Sequence, residues 1–435
     1  MSTIQSKPNP IRALQFFQLM RFATVFVTGI VLARSGMALN EIGLYESLLF
    51  LSTATGFFWV NGLGNSLTSR FNPLNKTESA ESVSATFGLV LTGSFLISAL
   101  LWIFRSPLYS ITGPEAASVF GWFCLFTFFN NTAFLNETLL LLRRRGSTLI
   151  AYGLLNFCLH IGGAIWIIVS GKGVESLIQL LLVLAILKNI LLVVQLYRMN
   201  TVIPKLSTTL SLGKLALPLI LSMLISGSSE MIDGFLVGHF LGNEAFALFR
   251  YGARELPLSG ILAAAMSQAM VARFAAEGIT REGLMTLKKE STALMHVVFP
   301  VSILLILLSS WIYPLVFSPA FLESASVFNI YALLVISRMV FPQTIVLALQ
   351  RHDVIFRISI FELSINVVSS VILMRWFGME GIAFGTVIAF MAEKCLLYFY
   401  VKKQSGIRLT DLLPIRIWLM YTLLLLLAFA YTTIR

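Results

Sequence analysis

Long apolar stretches dominate this sequence and limit the folds that it can adopt. Thirteen of them reach about 20 residues, the length that an α-helix needs to cross the hydrocarbon core of a bilayer. They lie near residues 11–34, 42–63, 83–104, 116–142, 147–170, 174–197, 214–239, 244–271, 289–313, 322–349, 353–375, 380–401 and 412–432. Only 12% of the 435 residues are charged, against about 25% in ordinary soluble domains. We therefore predict an all-α polytopic membrane protein, with twelve core helices and a thirteenth at the C-terminal end.

Basic residues indicate how these helices are oriented. The net charge is +11, and the arginines and lysines collect in alternate short loops, as the positive-inside rule requires of cytoplasmic loops. This distribution predicts a cytoplasmic N-terminus. No basic domain interleaved with aromatic residues is present, so the charge does not indicate nucleic acid as a partner. The N-terminal segment lacks a small-residue cleavage site, and we expect the first stretch to be an anchor and not a removed signal peptide.

The sequence contains no pattern that is typical of an enzyme or of a metal site. The three cysteines lie within apolar stretches, and their spacing fits neither a metal cluster nor a disulfide framework. The loops predicted to face outward are about ten residues long, and no metal-spaced carboxylates or glycine-rich phosphate loop occur. We therefore expect no cofactor and no enzymatic activity, and we disfavour a membrane glycan polymerase, ligase or glycosyltransferase.

A repeat divides the chain into two halves. The Asn-Glu pair that opens the second stretch at Asn40 recurs at Asn243, where it opens the eighth, and the intramembrane Lys188 is matched by Lys394. Six helices are thus followed by six with the same orientation. Such parallel repeats are related by an axis along the membrane normal, and their substrate sites lie near the midplane between the halves. We predict an N-terminal lobe over residues 1–205, a C-terminal lobe over 206–403 and an additional helix over 404–435.

Ionisable residues lie inside the apolar stretches, where a charge costs several kcal/mol unless it faces protein or water. The hairpin over residues 219–260 carries five of them: Glu230, Asp233, Arg250, Arg254 and Glu255. Counting outward from its turn at Gly242 puts Asp233 level with Arg250, and Glu230 level with Arg254. Two interpretations stay open. These charges line an aqueous cavity, or they form interhelical salt bridges that lock the hairpin.

The region around the second stretch carries a family motif. A short turn with Asn40 and Glu41 is followed by Gly43, Leu44 and Tyr45 at the start of the helix. Over residues 32–71 the sequence resembles the signature region of polysaccharide flippases in the MOP exporter superfamily. Residues 233–257 resemble the seventh and eighth helices of the same family. The resemblance implies a MATE-like fold, in which two parallel six-helix lobes surround a central V-shaped cavity.

The resemblance also implies a function. Members of this family move undecaprenyl-diphosphate-linked oligosaccharides, such as units of O-antigen, capsule or exopolysaccharide, from the cytoplasmic to the periplasmic leaflet by alternating access. We accordingly expect a monomer that contacts membrane lipids in a bacterial inner membrane. A glycan polymerase or ligase is the expected partner protein.

Cations inside the helices are candidates for binding the diphosphate of such a substrate. They are Arg21, Lys188, Arg250, Arg254, Arg338 and Lys394. Arginine offers a planar fork that suits phosphate oxygens, and lysine acts as a point charge. For Arg21 a role in the cavity is favoured over a pairing with Glu46 or Glu230. For Arg338 the alternative is a tie to Glu362, and for Lys394 it is neutralisation by the adjacent Glu393.

Acidic and amide side chains are the remaining candidates. The acids Glu230, Asp233, Glu255 and Glu46 could couple transport to H⁺ or Na⁺, if burial raises their affinity for a proton. The polar residues Asn130, Asn136, Glu137 and Gln343 could hydrogen-bond sugar hydroxyls. Such residues more often join helices to one another, and this alternative is favoured.

A multidrug exporter driven by Na⁺ or H⁺ is the main alternative function with the same fold. Its cavity would favour acids and aromatic residues, because its substrates are organic cations. This chain places at least as many basic as acidic residues within its helices, a balance that does not decide between the two functions.

Overall fold

The computed structural model describes residues 10–143, 145–201, 203–254 and 258–434, which are helical with no β-strand among them. These residues form two compact units. The first unit reaches Gly227 and includes Gly242–Ala247, and the second comprises Ser228–Leu241 and the chain from Leu248 onward. The first unit thus continues past the predicted lobe boundary at residue 205, into the next helix. The division of the repeat at residues 205 and 403 stays a prediction.

The first unit contains eight helices in the described ranges, and a ninth helix is shared with the second unit. They are α1 (Pro10–Ala33), α2 (Leu39–Arg70), α3 (Lys76–Ile103), α4 (Arg105–Thr112), α5 (Phe120–Ala133), α6 (Leu135–Leu142), α7 (Gly146–Val169), α8 (Val174–Arg198) and the shared α9 (Leu206–Gly252).

The remaining helices belong to the second unit. They are α10 (Leu258–Glu277), α11 (Arg281–Val316), α12 (Ser324–Ala332), α13 (Leu334–Arg338), α14 (Pro342–Ala348), α15 (His352–Ser405), α16 (Leu409–Leu412) and α17 (Ile415–Ile434). Short 3₁₀ helices cover Pro114–Ser118 and Pro319–Phe321.

Nine helices in the described ranges are long and apolar enough to cross a membrane, or ten if the bent pair α12–α13 and α14 forms one span. The membrane class and the all-helical fold are confirmed, whereas the count of thirteen is not. One reason is that α9 and α15 each run through two predicted stretches, turning at Gly242 (φ 80°) and Gly378 (φ 56°). These positive φ angles suit glycine, which has no Cβ to clash with the backbone.

The family motif lies where the turn of α9 packs within the first unit. A Cβ added to Gly43 would lie 1.8 Å from the carbonyl oxygen of Asn243, so only glycine fits there. The side chain of Asn243 in turn donates from Nδ2 to the carbonyl of Thr112 at 2.8 Å. The motif glycine therefore has a physical role, because it lets α2 approach this turn closely.

Proline causes the break between α13 and α14. Pro342 is at the start of α14, and because proline has no N–H it cannot continue the helical hydrogen bonds of α13. Just before this proline, the amide of Val340 bonds to the carbonyl of Ser337 instead of the carbonyl of Ile336, which an α-helical bond would use. The indole Nε1 of Trp418 on α17 donates to this carbonyl at 3.1 Å.

Helix α17 is an integral part of the second unit. Tyr421 stacks on Phe299 of α11, with ring centroids 5.3 Å apart, and its hydroxyl lies 2.8 Å from Nδ1 of His296. Lys288, nearer the start of α11, donates to the carbonyl of Thr410 at 2.9 Å. Thr410 lies on α16, just before α17, so the contacts advance in the same direction along α11 and along the segment from α16 to α17.

We expect Trp418→Phe to destabilise the protein. The phenyl ring retains most of the apolar contact but leaves the buried carbonyl of Ile336 without its donor, which costs about 1–3 kcal/mol. The thermal midpoint of the detergent-solubilised protein should fall for this variant. It should stay unchanged for the control Trp376→Phe, because Trp376 is 79% exposed. Equal midpoints for the two variants would show that the indole hydrogen bond contributes nothing.

Candidate functional site

The second unit contains a buried acid whose partners are hydroxyl groups. Asp233 of α9 is 4% exposed, and its Oδ2 accepts hydrogen bonds from the hydroxyls of Tyr331 and Thr386. The bond from Thr386 measures 2.5 Å. Within the described ranges, Asp233 forms no hydrogen bond with Arg250, which the sequence placed at the same depth in the 219–260 hairpin. The hydroxyl groups of Tyr331 and Thr386, and not Arg250, therefore hold this carboxylate.

Further polar groups surround Asp233. The hydroxyl of Thr386 is 3.5 Å from Oδ1 of Asn366, which also accepts from Ser370 at 3.0 Å. Glu362 is 7% exposed and lies close enough to Asp233 for the two carboxyl groups to repel each other when both are charged. Among the described residues, Oδ1 of Asp233 and Nδ2 of Asn366 are buried without a hydrogen-bond partner. A buried carboxylate without a cationic partner favours uptake of a proton or a small cation.

The two arms of α15 bring Asn366 and Thr386 together. The helix reverses at Gly378, and a Cβ added to Gly385 would lie 2.1 Å from Oγ of Ser370. Glycine at this position lets the arms pack closely enough for their polar side chains to meet. No sequence pattern singled out Asn366, Thr386 or Tyr331. The spacing of Gly381 and Gly385, a small-residue pattern that predicts close helix packing, was the available signal.

The first unit contains a cluster with an excess of positive charge. Arg21 of α1 forms an ion pair with Glu137 of α6 at 3.5 Å, with the Arg21 side chain 49% exposed and that of Glu137 14% exposed. Lys188 of α8 interacts electrostatically with the same carboxylate. Two cations therefore share one acid, which leaves capacity for an anionic ligand. The sequence suggested Glu46 or Glu230 as the acid for Arg21, and Glu137 was not among these candidates.

Asn136 joins α6 to α8 and is fully buried. Its Nδ2 donates to the carbonyl of Lys188 at 2.9 Å, and its Oδ1 accepts from Gln195 at 2.6 Å. These bonds use the amide within the protein, so the geometry favours the helix-joining role over a contact with sugar. Asn130, on the preceding α5, is half-buried.

The second unit repeats this arrangement with a neutral partner. Lys394 of α15 donates to Oε1 of Gln343 on α14 at 3.2 Å and lies 2.8 Å from Oε2 of Glu393. The sequence repeat matches Gln343 with Glu137, and Lys394 with Lys188. The structure thus places equivalent residues together in each unit, and Lys394 also has the adjacent neutralising acid.

The remaining candidates lie at or near helix breaks, or outside the described structure. Arg338 ends α13 and donates to Oγ of Ser259 at 3.0 Å. The guanidinium of Arg254 lies 4.5 Å from the ring centre of Tyr251. Half-buried Arg250 is in the last turn of α9, and Glu46 is buried in α2. The side chain of Glu230 and the whole of Glu255 lie outside the described residues.

The sequence matches a family described as "Polysaccharide biosynthesis protein" over residues 31–326. No curated protein matches the chain.

Several solved structures share the fold. The lipid II flippase MurJ in its inward closed conformation has a TM-score of 0.67 at 16% identity, covering 96% of this chain and 92% of MurJ. The inward-facing conformation of a multidrug resistance MATE family transporter of the MOP superfamily has a TM-score of 0.67 at 14% identity, with coverages of 91% and 100%. The Vibrio cholerae MATE transporter VcmN in the bent form reaches 0.52 at 16% identity, with coverages of 95% and 98%. At these identities the likeness establishes the fold alone. By its sequence match the chain belongs to the polysaccharide biosynthesis protein family, and it shares the fold of MurJ and of MATE family transporters.

Proposed function

We propose that this protein is a flippase for an undecaprenyl-diphosphate-linked oligosaccharide, such as a unit of O-antigen, capsule or exopolysaccharide. It moves this lipid from the cytoplasmic to the periplasmic leaflet of a bacterial inner membrane by alternating access, with its N-terminus in the cytoplasm. It works as a monomer, and a polymerase or ligase uses the product. The family match supports a role in polysaccharide biosynthesis.

The cluster of Arg21, Glu137 and Lys188 carries this proposal. A diphosphate inside the membrane needs cations as partners. An ion pair of one cation and one acid has no net positive charge with which to attract it. Here one carboxylate is shared between two cations, and Arg21 is half-exposed. Its guanidinium can therefore turn to phosphate oxygens, while the charge of Lys188 still acts on Glu137.

Asp233 supports a second element of the proposal, namely coupling to a small ion. An organic cation needs an acid that it can reach, whereas Asp233 is 4% exposed and enclosed by hydroxyl groups. This enclosure suits H⁺ or Na⁺ better than a drug molecule. The surroundings of Asp233 therefore support ion-driven transport. They do not support binding of a drug by this residue, as expected for a multidrug exporter, which is the alternative function with the same fold.

Replacing Arg21 should impair flipping. In proteoliposomes with a fluorescent undecaprenyl-diphosphate oligosaccharide, we expect Arg21→Gln to slow transfer by about tenfold or more, the effect of losing one charge-assisted hydrogen bond of about 1.5–3 kcal/mol. The variant should fold, because an ion pair this exposed contributes little to stability. Arg12→Gln, on the exposed side of the same helix, is the matched control and should retain the wild-type rate.

The alternative function gives a different outcome in the same vesicles. The wild-type protein could transfer the lipid no faster than protein-free liposomes and yet export an organic cation in response to a Na⁺ or H⁺ gradient. This result would contradict the flippase proposal and support a drug exporter.

Replacing Asp233 should uncouple transport from its ion. We expect the wild-type flipping rate to depend on a Na⁺ or proton gradient. The Asp233→Asn variant should be slow and insensitive to either gradient, because the neutral amide of asparagine does not take up Na⁺ or a proton as a carboxylate does. Asp353→Asn is the control, since Asp353 is half-exposed and pairs with surface arginines. A gradient dependence that survives in Asp233→Asn would remove this residue from the coupling mechanism.

A further inference from the structure

An open crevice lies between three helices of the second unit. About 530 Å³ of space without protein atoms lies between and in front of its walls, including the open space at its mouth. Its walls come from α10, α11 and α12–α13, and the lining residues are Ser259, Leu262, Val297, Val298, Val301, Ser302, Leu305, Phe328, Ala332 and Val335. Val301 and Val335 lie near the middle of their predicted membrane stretches, and Ser259 lies about midway between Gly242 and Arg273. The crevice is therefore at the level of the bilayer midplane.

The crevice has a buried floor and an exposed mouth. Val298 and Val335 are 5% and 2% exposed, whereas Val297 and Val301 are 56% and 41% exposed. An apolar chain lying here would contact protein on its inner side and the bilayer on its outer side. Eight of the ten lining residues are apolar, so the lining suits a hydrocarbon chain.

One cation lies at the end of the crevice. On α12–α13 the lining residues Phe328, Ala332 and Val335 recur at spacings of four and three residues, and Arg338 continues this stripe one turn later. Residues at these spacings share a helix face. Arg338 also donates to Oγ of Ser259, which itself lines the crevice. The apolar crevice and the guanidinium are therefore continuous.

Helix breaks surround the same point. Helix α9 ends at Gly252, with Ala253 and Arg254 outside it, and α13 ends at Arg338 before α14 begins. Interrupted helices at membrane depth occur where they are buried in protein or line a cavity, and transporters use them to bind substrates near the midplane. The breaks thus mark this region as a candidate binding site, independently of the crevice volume.

We propose that this crevice holds the isoprenoid chain of the lipid-linked substrate while its diphosphate is bound at Arg338, an inference that rests on the proposed flippase function. A phospholipid keeps its head group at the surface, about 15 Å from the midplane of a 30 Å hydrocarbon core. A lipid in translocation instead brings its diphosphate through the midplane, while its chain must stay in hydrocarbon. An apolar crevice that joins a cation at this depth meets both requirements.

Photo-crosslinking tests the position of the chain. Benzoylphenylalanine would be placed at Val301, or at Leu304, which is 56% exposed on the same helix but does not line the crevice. With a fluorescent undecaprenyl-diphosphate disaccharide in phosphatidylglycerol vesicles, we expect the yield at position 301 to exceed that at 304 by roughly fivefold, the ratio that a preference of about 1 kcal/mol gives. Arg338→Gln should reduce this excess. Equal yields at both positions in these vesicles, where phosphatidylglycerol is already in excess, would overturn the proposal.

Filling the crevice provides a second readout. We expect Val301→Trp to slow flipping in proteoliposomes, and Leu304→Trp to leave it at the wild-type rate. Normal flipping by Val301→Trp, together with equal crosslinking yields at positions 301 and 304, would overturn the proposed lipid site without contradicting the proposed flippase function. Preferential crosslinking at 301 without wild-type flipping would support the lipid site and overturn the proposed transport.

Discussion

The energetic cost of polar groups in hydrocarbon is the constraint on which the structure of this protein depends. Each unsatisfied backbone group or charge at membrane depth costs several kcal/mol, so every irregular feature needs a partner. The carbonyl of Ile336, freed by the proline break after α13, receives the indole of Trp418. The amide of Asn136 is used completely between α6 and α8. These partners lie far apart in the chain, and they tie the C-terminal helix and the helix breaks into their units.

The two halves of the repeat have kept the same positions and changed their chemistry. Lys188 faces a carboxylate in the first unit, whereas its counterpart Lys394 faces the amide of Gln343 and takes its acid from the neighbouring Glu393. The first unit adds Arg21 to this acid and gains positive charge. The second unit instead encloses Asp233 among hydroxyl groups. This difference fits the proposed function, because Arg21 and Lys188 suit an anionic substrate and the enclosed Asp233 suits a small cation.

Burial decides which chemistry each charged group can perform. Arg21 is half-exposed and paired at 3.5 Å, so it can exchange its partner for a phosphate at low cost. Asp233 is enclosed, so only a proton or a small ion can reach it without rearrangement. Charges that look alike in the sequence therefore differ in exposure and in partners, and for this reason we propose different ligands for them.

The sequence by itself determined the features that depend on local composition. Hydropathy identified the membrane class, because a spanning helix needs a continuous apolar stretch. Glycine turns at Gly242 and Gly378 fall between predicted stretches, and the repeat matches Lys188 with Lys394. Only the tertiary structure decided which side chains meet. Arg21 and Glu137 are more than 100 residues apart, and Tyr331 and Thr386 are ordinary polar residues with no pattern of their own. Their contacts with Asp233 arise from helix packing and from the reversal of α15, and single-sequence periodicity carries no information about such distant pairs.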